Sequence, residues 1–192
     1  MNEENLISLL KRQDQTAFKE LVQQFSRRVY NTSLGILQNE EDAEDISQEV
    51  FIEVFQSIHQ FKGESKLSTW IYRIAVTKSI EFIRRKNRKK RFAFVQSLFG
   101  MESELPSKDH VHFYHPGVQL ENKERAAVLF RAIDQLPENQ KTAFTLHKLE
   151  NLSYAEITEV MHVSLSSVES LMFRAKKNLQ KLLSDYYEEN EK

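Results

Sequence analysis

The 192-residue sequence contains no cysteine, which removes disulfides, thiolate zinc sites and a cysteine nucleophile from consideration. It has only four glycines and three prolines. Sheet-rich folds that turn repeatedly on those residues are therefore disfavoured, and an all-α fold is expected. The glycines are well separated, so no glycine-rich phosphate loop can be built. No apolar run approaches the ~18 residues of a membrane span. The start, Met1-Asn2-Glu3-Glu4, is polar and acidic, unlike a secretory signal. The expected location is the cytoplasm. Hydrophobic residues make up 40% and charged residues 29%, the balance of a folded soluble chain with one large domain or two small ones.

The net charge of −1 conceals a sharp segregation. Between Gln38 and Gln56 there are seven acids and no base, whereas seven of the eight residues from Arg84 to Arg91 are basic. Such segregation points to two partners of opposite sign; the plain alternative is two solvated faces.

Helix-period sequence runs from residue 1 to about 91, lapses over 92–122, and resumes over 123–192. The middle stretch holds Gly100, Pro106, Pro116 and Gly117 and reads as a flexible linker between two small helical domains. In the first domain, helices are expected over about 3–11, 14–37, 40–58 and 68–90. Phe18, Leu21, Val22, Phe25, Val29 and Leu34 form the apolar stripe of the second. Asn39 caps the third, whose first turn carries Glu40, Glu41 and Asp42. In the second domain, helices are expected over about 121–136, 137–149, 153–161 and 165–186. Pro137 suits a first helical position. Ser153-Tyr154-Ala155-Glu156 fits a capping box. The last two helices, joined by a three- or four-residue turn, have the pattern of a helix-turn-helix.

Three features carry chemistry. On the third helix, Asp45, Glu49 and Glu53 repeat every four residues, while Ile46, Val50 and Val54, with Phe51 and Phe55, form the core face. Like charges at that spacing destabilise a helix by roughly 0.2–0.5 kcal/mol per pair, so a basic partner surface would give the stripe a purpose. Paired carboxylates can serve a metal or acid–base catalysis, but no histidine accompanies these. On the fourth helix, Trp70, Tyr72 and Phe82 alternate with Arg73, Lys78, Arg84 and Arg85, and the run to Arg91, through Arg88, continues the charge. Cations bind phosphates and aromatics stack unpaired bases, which suits a single strand passing the polar loop Lys62-Gly63-Glu64-Ser65-Lys66. Phe82 also fits the core, and Trp70 fits either role. In the helix-turn-helix, Ile157, Val160, Val163, Val168, Leu171 and Phe173 are expected to hold the two helices together. Ser164, Ser166 and Ser167 stand where phosphates are met, and Glu169, Ser170 and Arg174 are candidates for base edges. Yet Glu150–Lys192 has eight acids against five bases, weak for an independent DNA binder. The histidines His110, His112 and His115 cluster in the linker; three imidazoles can bind zinc, but no metal and no cofactor is expected.

Assembled in this order, the residues resemble those of the extracytoplasmic-function (ECF) class of bacterial RNA polymerase sigma factors. Asp42-Ala43-Glu44-Asp45-Ile46-Ser47-Gln48-Glu49-Val50-Phe51 is similar to that family's core-polymerase-binding helix. Phe61-Lys62-Gly63 with Ser68-Thr69-Trp70-Ile71-Tyr72-Arg73-Ile74-Ala75 is similar to its promoter-melting segment. Leu136-Pro137-Glu138 and Leu152-Ser153-Tyr154-Ala155-Glu156-Ile157 are similar to its C-terminal helix-turn-helix domain. The resemblance implies a non-enzymatic initiation factor divided at 1–91, 92–122 and 123–192. Asp42, Asp45, Gln48, Glu49 and Glu53 would bind the clamp coiled coil of the polymerase largest subunit. Lys62, Gly63, Ser65, Lys66, Ser68, Trp70, Tyr72, Arg73, Thr77, Lys78, Arg84, Arg85 and Arg88 would hold the promoter −10 element. Ser153, Tyr154, Ser164, Ser166, Ser167, Glu169, Ser170, Arg174 and Lys177 would meet the −35 element, next to the flap of the second-largest subunit. A cognate anti-sigma factor is implied too. His162 stands in place of the usual turn glycine, and Glu169 and Leu171 where bases are frequent. A stand-alone dimeric helix-turn-helix regulator and a metal-dependent enzyme using the linker histidines are the rival readings.

Overall fold

The computed structural model describes residues 2–98 and 120–190, with side chains over 2–89 and 126–184. The described residues form helices α1 (Glu3–Lys11), α2 (Gln15–Leu37), α3 (Glu40–Ser57), α4 (Leu67–Leu98), α5 (Leu120–Asp134), α6 (Glu138–Lys148), α7 (Tyr154–Met161) and α8 (Leu165–Asn190), with a single 3-10 turn at Ile58–Gln60 and no strand.

The helix starts are set by short polar side chains. Asn2, Asp14 and Asn39 each accept a hydrogen bond from a backbone N–H three residues on, at 2.9, 2.8 and 2.8 Å. Each such cap satisfies an otherwise orphaned donor, a contribution of ~1 kcal/mol. Two helices end in the left-handed region: Gln38 after α2 (φ 56°) and His162 after α7 (φ 53°). His162 thus takes a left-handed backbone that favours glycine, at the strain cost of a side chain there. Gln38 folds its Nε2 back onto the Gly35 carbonyl at 2.6 Å.

Several boundaries differ from expectation. Helix α4 runs on to Leu98 rather than stopping near Lys90. Arg and Lys are good helix formers, and no glycine or proline intervenes before Gly100. The expected linker 92–122 is therefore helical at both edges, and its centre, 99–119, lies outside the described residues, as do His110, His112 and His115. Pro137 is the N-cap of α6 rather than its first helical residue: its ψ is 143° and its carbonyl accepts from the Gln140 and Lys141 amides.

The first core belongs to α1–α4. Leu21, Val29, Ile46, Val50, Val54, Leu67 and Ile71 are almost wholly buried in it, and Phe18 packs edge-on against Phe55 at 5.0 Å. A third cluster joins α5 to α8 through Ile133, Leu136, Ala175 and Leu179. The second cluster crosses between the two halves of the chain. Ile36, Tyr72 and Val76, from α2 and α4, are buried with Leu146, Leu152, Ile157, Val160, Val168 and Met172. Helix α6 accordingly packs on α2, and α7 on α4.

One core assignment is corrected. Phe173 does not hold the helix-turn-helix together; it is 69% exposed. The inward stripe of α8 is Val168, Met172, Ala175 and Leu179, at spacings of four, three and four. A residue one step past Met172 is turned by about 100° out of that stripe.

Candidate nucleic-acid and partner interfaces

Helix α3 presents an acidic face. Asp45, Gln48 and Glu49 are exposed, and the apolar Ile52 stands beside them at 55% exposure. Positions 45, 48, 49 and 52 share one side of a helix, so Ile52 was legible from spacing, though the charge pattern hid it. The two ends of the acidic run have internal partners. Glu53 pairs with Lys78 at 2.9 Å and Asp42 with Lys86 at 2.6 Å, fastening α3 to α4. The open carboxylates are those in the middle.

Helix α4 begins with an unexpected cap: the Leu67 amide donates to Glu3 Oε1 at 3.0 Å, bringing the first helix to the start of the fourth. Before it, Gly63 turns with φ 77°, a conformation that favours glycine, and nothing surrounds the place a Cβ would take. Lys62, Gly63 and Lys66 are exposed, and Ser65 and Ser68 half-buried. Trp70 is half-buried with its ring 5.3 Å from that of Phe61. Phe82 packs against the first core beneath two cations, Arg85 at 5.4 Å and Lys86 at 5.6 Å from its centroid. Thr77, Arg84, Arg85 and Arg88 are exposed.

The remaining candidates on α4 face the second half of the chain. Tyr72, 6% exposed, donates its hydroxyl to Glu150 Oε2 at 2.8 Å. Arg73 Nη2 donates to the Glu159 carbonyl at 2.8 Å. Lys66 pairs with Glu156 at 3.2 Å and Arg84 with Glu138 at 2.9 Å. Burial, then the neighbouring Glu150, raises the Tyr72 phenol well above its ordinary value. Burial likewise raises the Glu150 carboxyl, against the opposing pull of Tyr72, Asn31, Arg28 and Arg27.

Around Glu150 lies a polar cleft of about 500 Å³ between α2, the start of α4 and the α6–α7 turn. Arg27, Arg28 and Asn31 of α2 line it with Ser68, Thr69 and Tyr72. Sequence reasoning missed the three α2 residues. Their signal, two adjacent arginines on an otherwise ordinary amphipathic helix, is weak until α4 is placed beside them.

In the helix-turn-helix, the capping box is complete. Glu156 Oε2 accepts from the Ser153 amide at 3.0 Å and from its hydroxyl at 2.9 Å, and Ser153 Oγ accepts from the Glu156 amide at 3.3 Å. Those bonds, and then Lys66, hold the Glu156 carboxyl below its ordinary value. Tyr154 is half-buried against His147, ring centroids 5.0 Å apart. Ser164 caps α8, accepting from the Ser167 amide at 3.2 Å, with its oxygen 3.0 Å from Ser166 Oγ and 2.8 Å from Ser167 Oγ. This leaves a cluster of hydroxyls at the positive end of the helix. Glu169, Arg174 and Lys177 are exposed and Ser170 half-buried. Arg174 is pre-oriented by Ser170, whose Oγ accepts from its Nη2 at 2.8 Å. Leu165, 52% exposed, and Phe173 share this outer face, so it is more apolar than expected. Behind it, Leu129, Leu179 and Leu183 line an apolar groove of about 360 Å³ between α5 and α8.

No group of three or more His, Asp or Glu side chains that could hold a metal occurs among the described residues, and no described helix is long and apolar enough to cross a membrane.

Comparison with known proteins follows the same division. Residues 21–89 match the family described as Sigma-70 region 2, and residues 126–179 that described as Sigma-70, region 4. The ECF RNA polymerase sigma-E factor of Haemophilus influenzae is 31% identical over 184 residues, covering 94% of each chain. The RNA polymerase sigma-H factor of Pseudomonas aeruginosa is 29% identical over 190 residues, covering 94% of this chain and 93% of that one. Among solved structures, CnrH in complex with the cytosolic domain of CnrY superposes with a TM-score of 0.68 at 17% identity, over 95% of this chain and 97% of that one. The sigma factor RpoE in complex with the anti-sigma factor NepR, from Bartonella quintana, gives 0.62 at 19% identity, over 87% and 96%. At these identities the structures speak for the fold.

Proposed function

The chain belongs to the ECF sigma factors of bacterial RNA polymerase, and on that premise we propose how its surfaces divide the work of transcription initiation: the α3 face binds core polymerase, the α4 face holds and opens the −10 element, and the outer face of α8 reads the −35 element. The activity is binding alone, carried out in the cytoplasm on promoter DNA.

The observation that carries this reading is the charge layout. Exposed Asp45, Gln48 and Glu49, with Ile52 among them, offer a basic coiled coil both complementary charge and one apolar contact. The clamp coiled coil of the largest subunit is the partner this suits. Around α4, the cations and the Trp70–Phe61 pair adjoin the open Gly63 turn. There a backbone phosphate can be held while a base leaves the stack. Unstacking costs a few kcal/mol per base, least at an easily opened step, and capture in the loop offsets it. Arg27, Arg28 and Asn31 extend the donors available to the strand.

On α8, the hydroxyls of Ser164, Ser166 and Ser167 meet phosphates at the helix N-terminus, and Arg174, held by Ser170, donates to a base edge. The apolar groove between α5 and α8 suits the flap of the second-largest subunit. The RpoE complex with the anti-sigma factor NepR, of similar fold, supports a cognate anti-sigma factor as a further partner.

The test is co-elution of the purified chain with bacterial core RNA polymerase at moderate salt. One-to-one co-elution is expected, and Asp45→Lys with Glu49→Lys abolishes it while the helical circular dichroism stays unchanged. Retained binding in that variant refutes α3 as the contact. No binding by the parent chain, together with a footprint on duplex DNA from the chain alone, would favour a stand-alone regulator.

A further inference from the structure

We propose that Glu3, on the first helix, is a positioning residue for promoter opening: it caps α4 from outside that helix and so fixes the loop that the promoter strand must enter. The inference rests on the reading above for what that loop binds.

Helix α4 starts without a cap of its own. Leu67 is its first residue, which leaves Lys66 at the N-cap position. The Trp70 amide makes the first bond of the helix, to the Lys66 carbonyl at 3.2 Å. An N-cap side chain has to accept from an amide of the first turn, and an ammonium group has no lone pair with which to accept. Ser65 does not serve either, since its hydroxyl donates to the Lys66 carbonyl at 3.4 Å. Helices α1, α2 and α3 are capped by a neighbouring Asn or Asp, but for α4 the acceptor comes from 64 residues away. The Leu67 amide donates to Glu3 Oε1 at 3.0 Å. A carboxylate there also faces the positive end of the helix dipole.

Glu3 can serve as a support because α1 is itself anchored. Asn2 caps α1, and Leu6 and Leu10 are buried in the first core. Helix α1 also packs on the 3-10 turn at Ile58–Gln60. That turn leads into the loop and Leu67 leads out of it, so α1 holds both ends. Phe61 and Leu67 are buried in the same core, whereas Lys62, Gly63, Glu64 and Lys66 between them are exposed. An open loop on two fixed posts presents its donors in one geometry, and a strand that binds it has less ordering to offset. Ser68 and Trp70 lie in the first turn of α4, next to the capped amide. Without the cap that turn frays, and Trp70 loses its place against Phe61. Helix α1 stands ahead of residues 21–89, the segment that matches region 2, and supports it from outside.

Trp70 is the only tryptophan of the chain, so intrinsic fluorescence reports the start of α4 directly. Acrylamide quenching is measured on the free full-length chain. Strand opening is measured as permanganate reactivity of thymines, with holoenzyme, on a promoter that the parent holoenzyme selects from a random-sequence library. Glu3→Ala should raise the quenching of Trp70 and lower the equilibrium constant for opening about fivefold, the effect of one lost cap. Polymerase co-elution should not change. Glu3→Gln keeps a side-chain carbonyl as acceptor and should return both readouts to within about twofold of the parent. Glu4→Ala makes the same charge change one residue on and should leave both at the parent level. Unchanged quenching in Glu3→Ala overturns the cap. Raised quenching with unchanged opening makes Glu3 a brace only and overturns its part in positioning the loop. A Gln variant as impaired as the Ala variant, or an equal loss in Glu4→Ala, overturns the hydrogen bond as the cause. A parent holoenzyme that selects no promoter counts against the sigma reading instead, while the quenching still judges the cap.

Discussion

The capping box of α7 offers the sharpest quantitative check. This helix has only eight residues, too short to be stable by propensity, so it depends on its cap and its buried face. Ser153→Ala removes two of three bonds: the hydroxyl's acceptance from the Glu156 amide and its donation to Glu156 Oε2. The Ser153 amide still donates to the carboxylate. Loss of an N-cap hydroxyl costs ~1 kcal/mol. The Lys66 link to Glu156 adds little, because the two side chains are 69% and 37% exposed.

The pH dependence has a definite sign. The folded carboxyl of Glu156 sits below its ordinary value, chiefly through the Ser153 amide and then its hydroxyl. Its stabilising share is thus present above the ordinary carboxylate range and is lost as pH falls through the depressed folded value. Urea unfolding of parent and Ser153→Ala chains should therefore differ by ~1 kcal/mol at pH 7, at unchanged m-value, and the gap should narrow without closing as Glu156 protonates, because the hydroxyl still caps the Glu156 amide in the parent chain. A difference at pH 7 within error of zero, or one that grows in acid, would refute the reasoning.

Met172→Ala should destabilise the chain by about 3 kcal/mol, since the side chain is 1% exposed in the cluster shared by both halves; equilibrium unfolding measures it. Arg174→Ala should weaken −35 discrimination by ~1–3 kcal/mol while polymerase co-elution is retained. Unchanged promoter choice in run-off transcription would remove Arg174 from base reading.

Much of the site was legible because its signals are local. The Ile46, Val50 and Val54 stripe, the Asn39 and Ser153 caps and the tight turn before Leu165 all act within a few residues, and a short window contains their causes. Phe173 was misplaced because apolar character alone does not fix the side of a helix; one residue's rotation decides it. The contact between the two helical domains was not legible, because nothing in a sequence window tells Ile36 or Val76 from core of their own half.

The sequence by itself determined the helices, the caps that start several of them, the acidic and basic faces and the helix-turn-helix, since each follows from periodicity and capping within a few turns. Only the tertiary structure decided which of those charges stay open. Glu53 and Asp42 are taken by Lys78 and Lys86, Tyr72 by Glu150, and Arg27 and Arg28 are brought to the same cleft as Ser68. An ion pair or a buried hydroxyl is a relation between surfaces, and those surfaces meet only once α3 and α2 pack on α4, and α6 on α2.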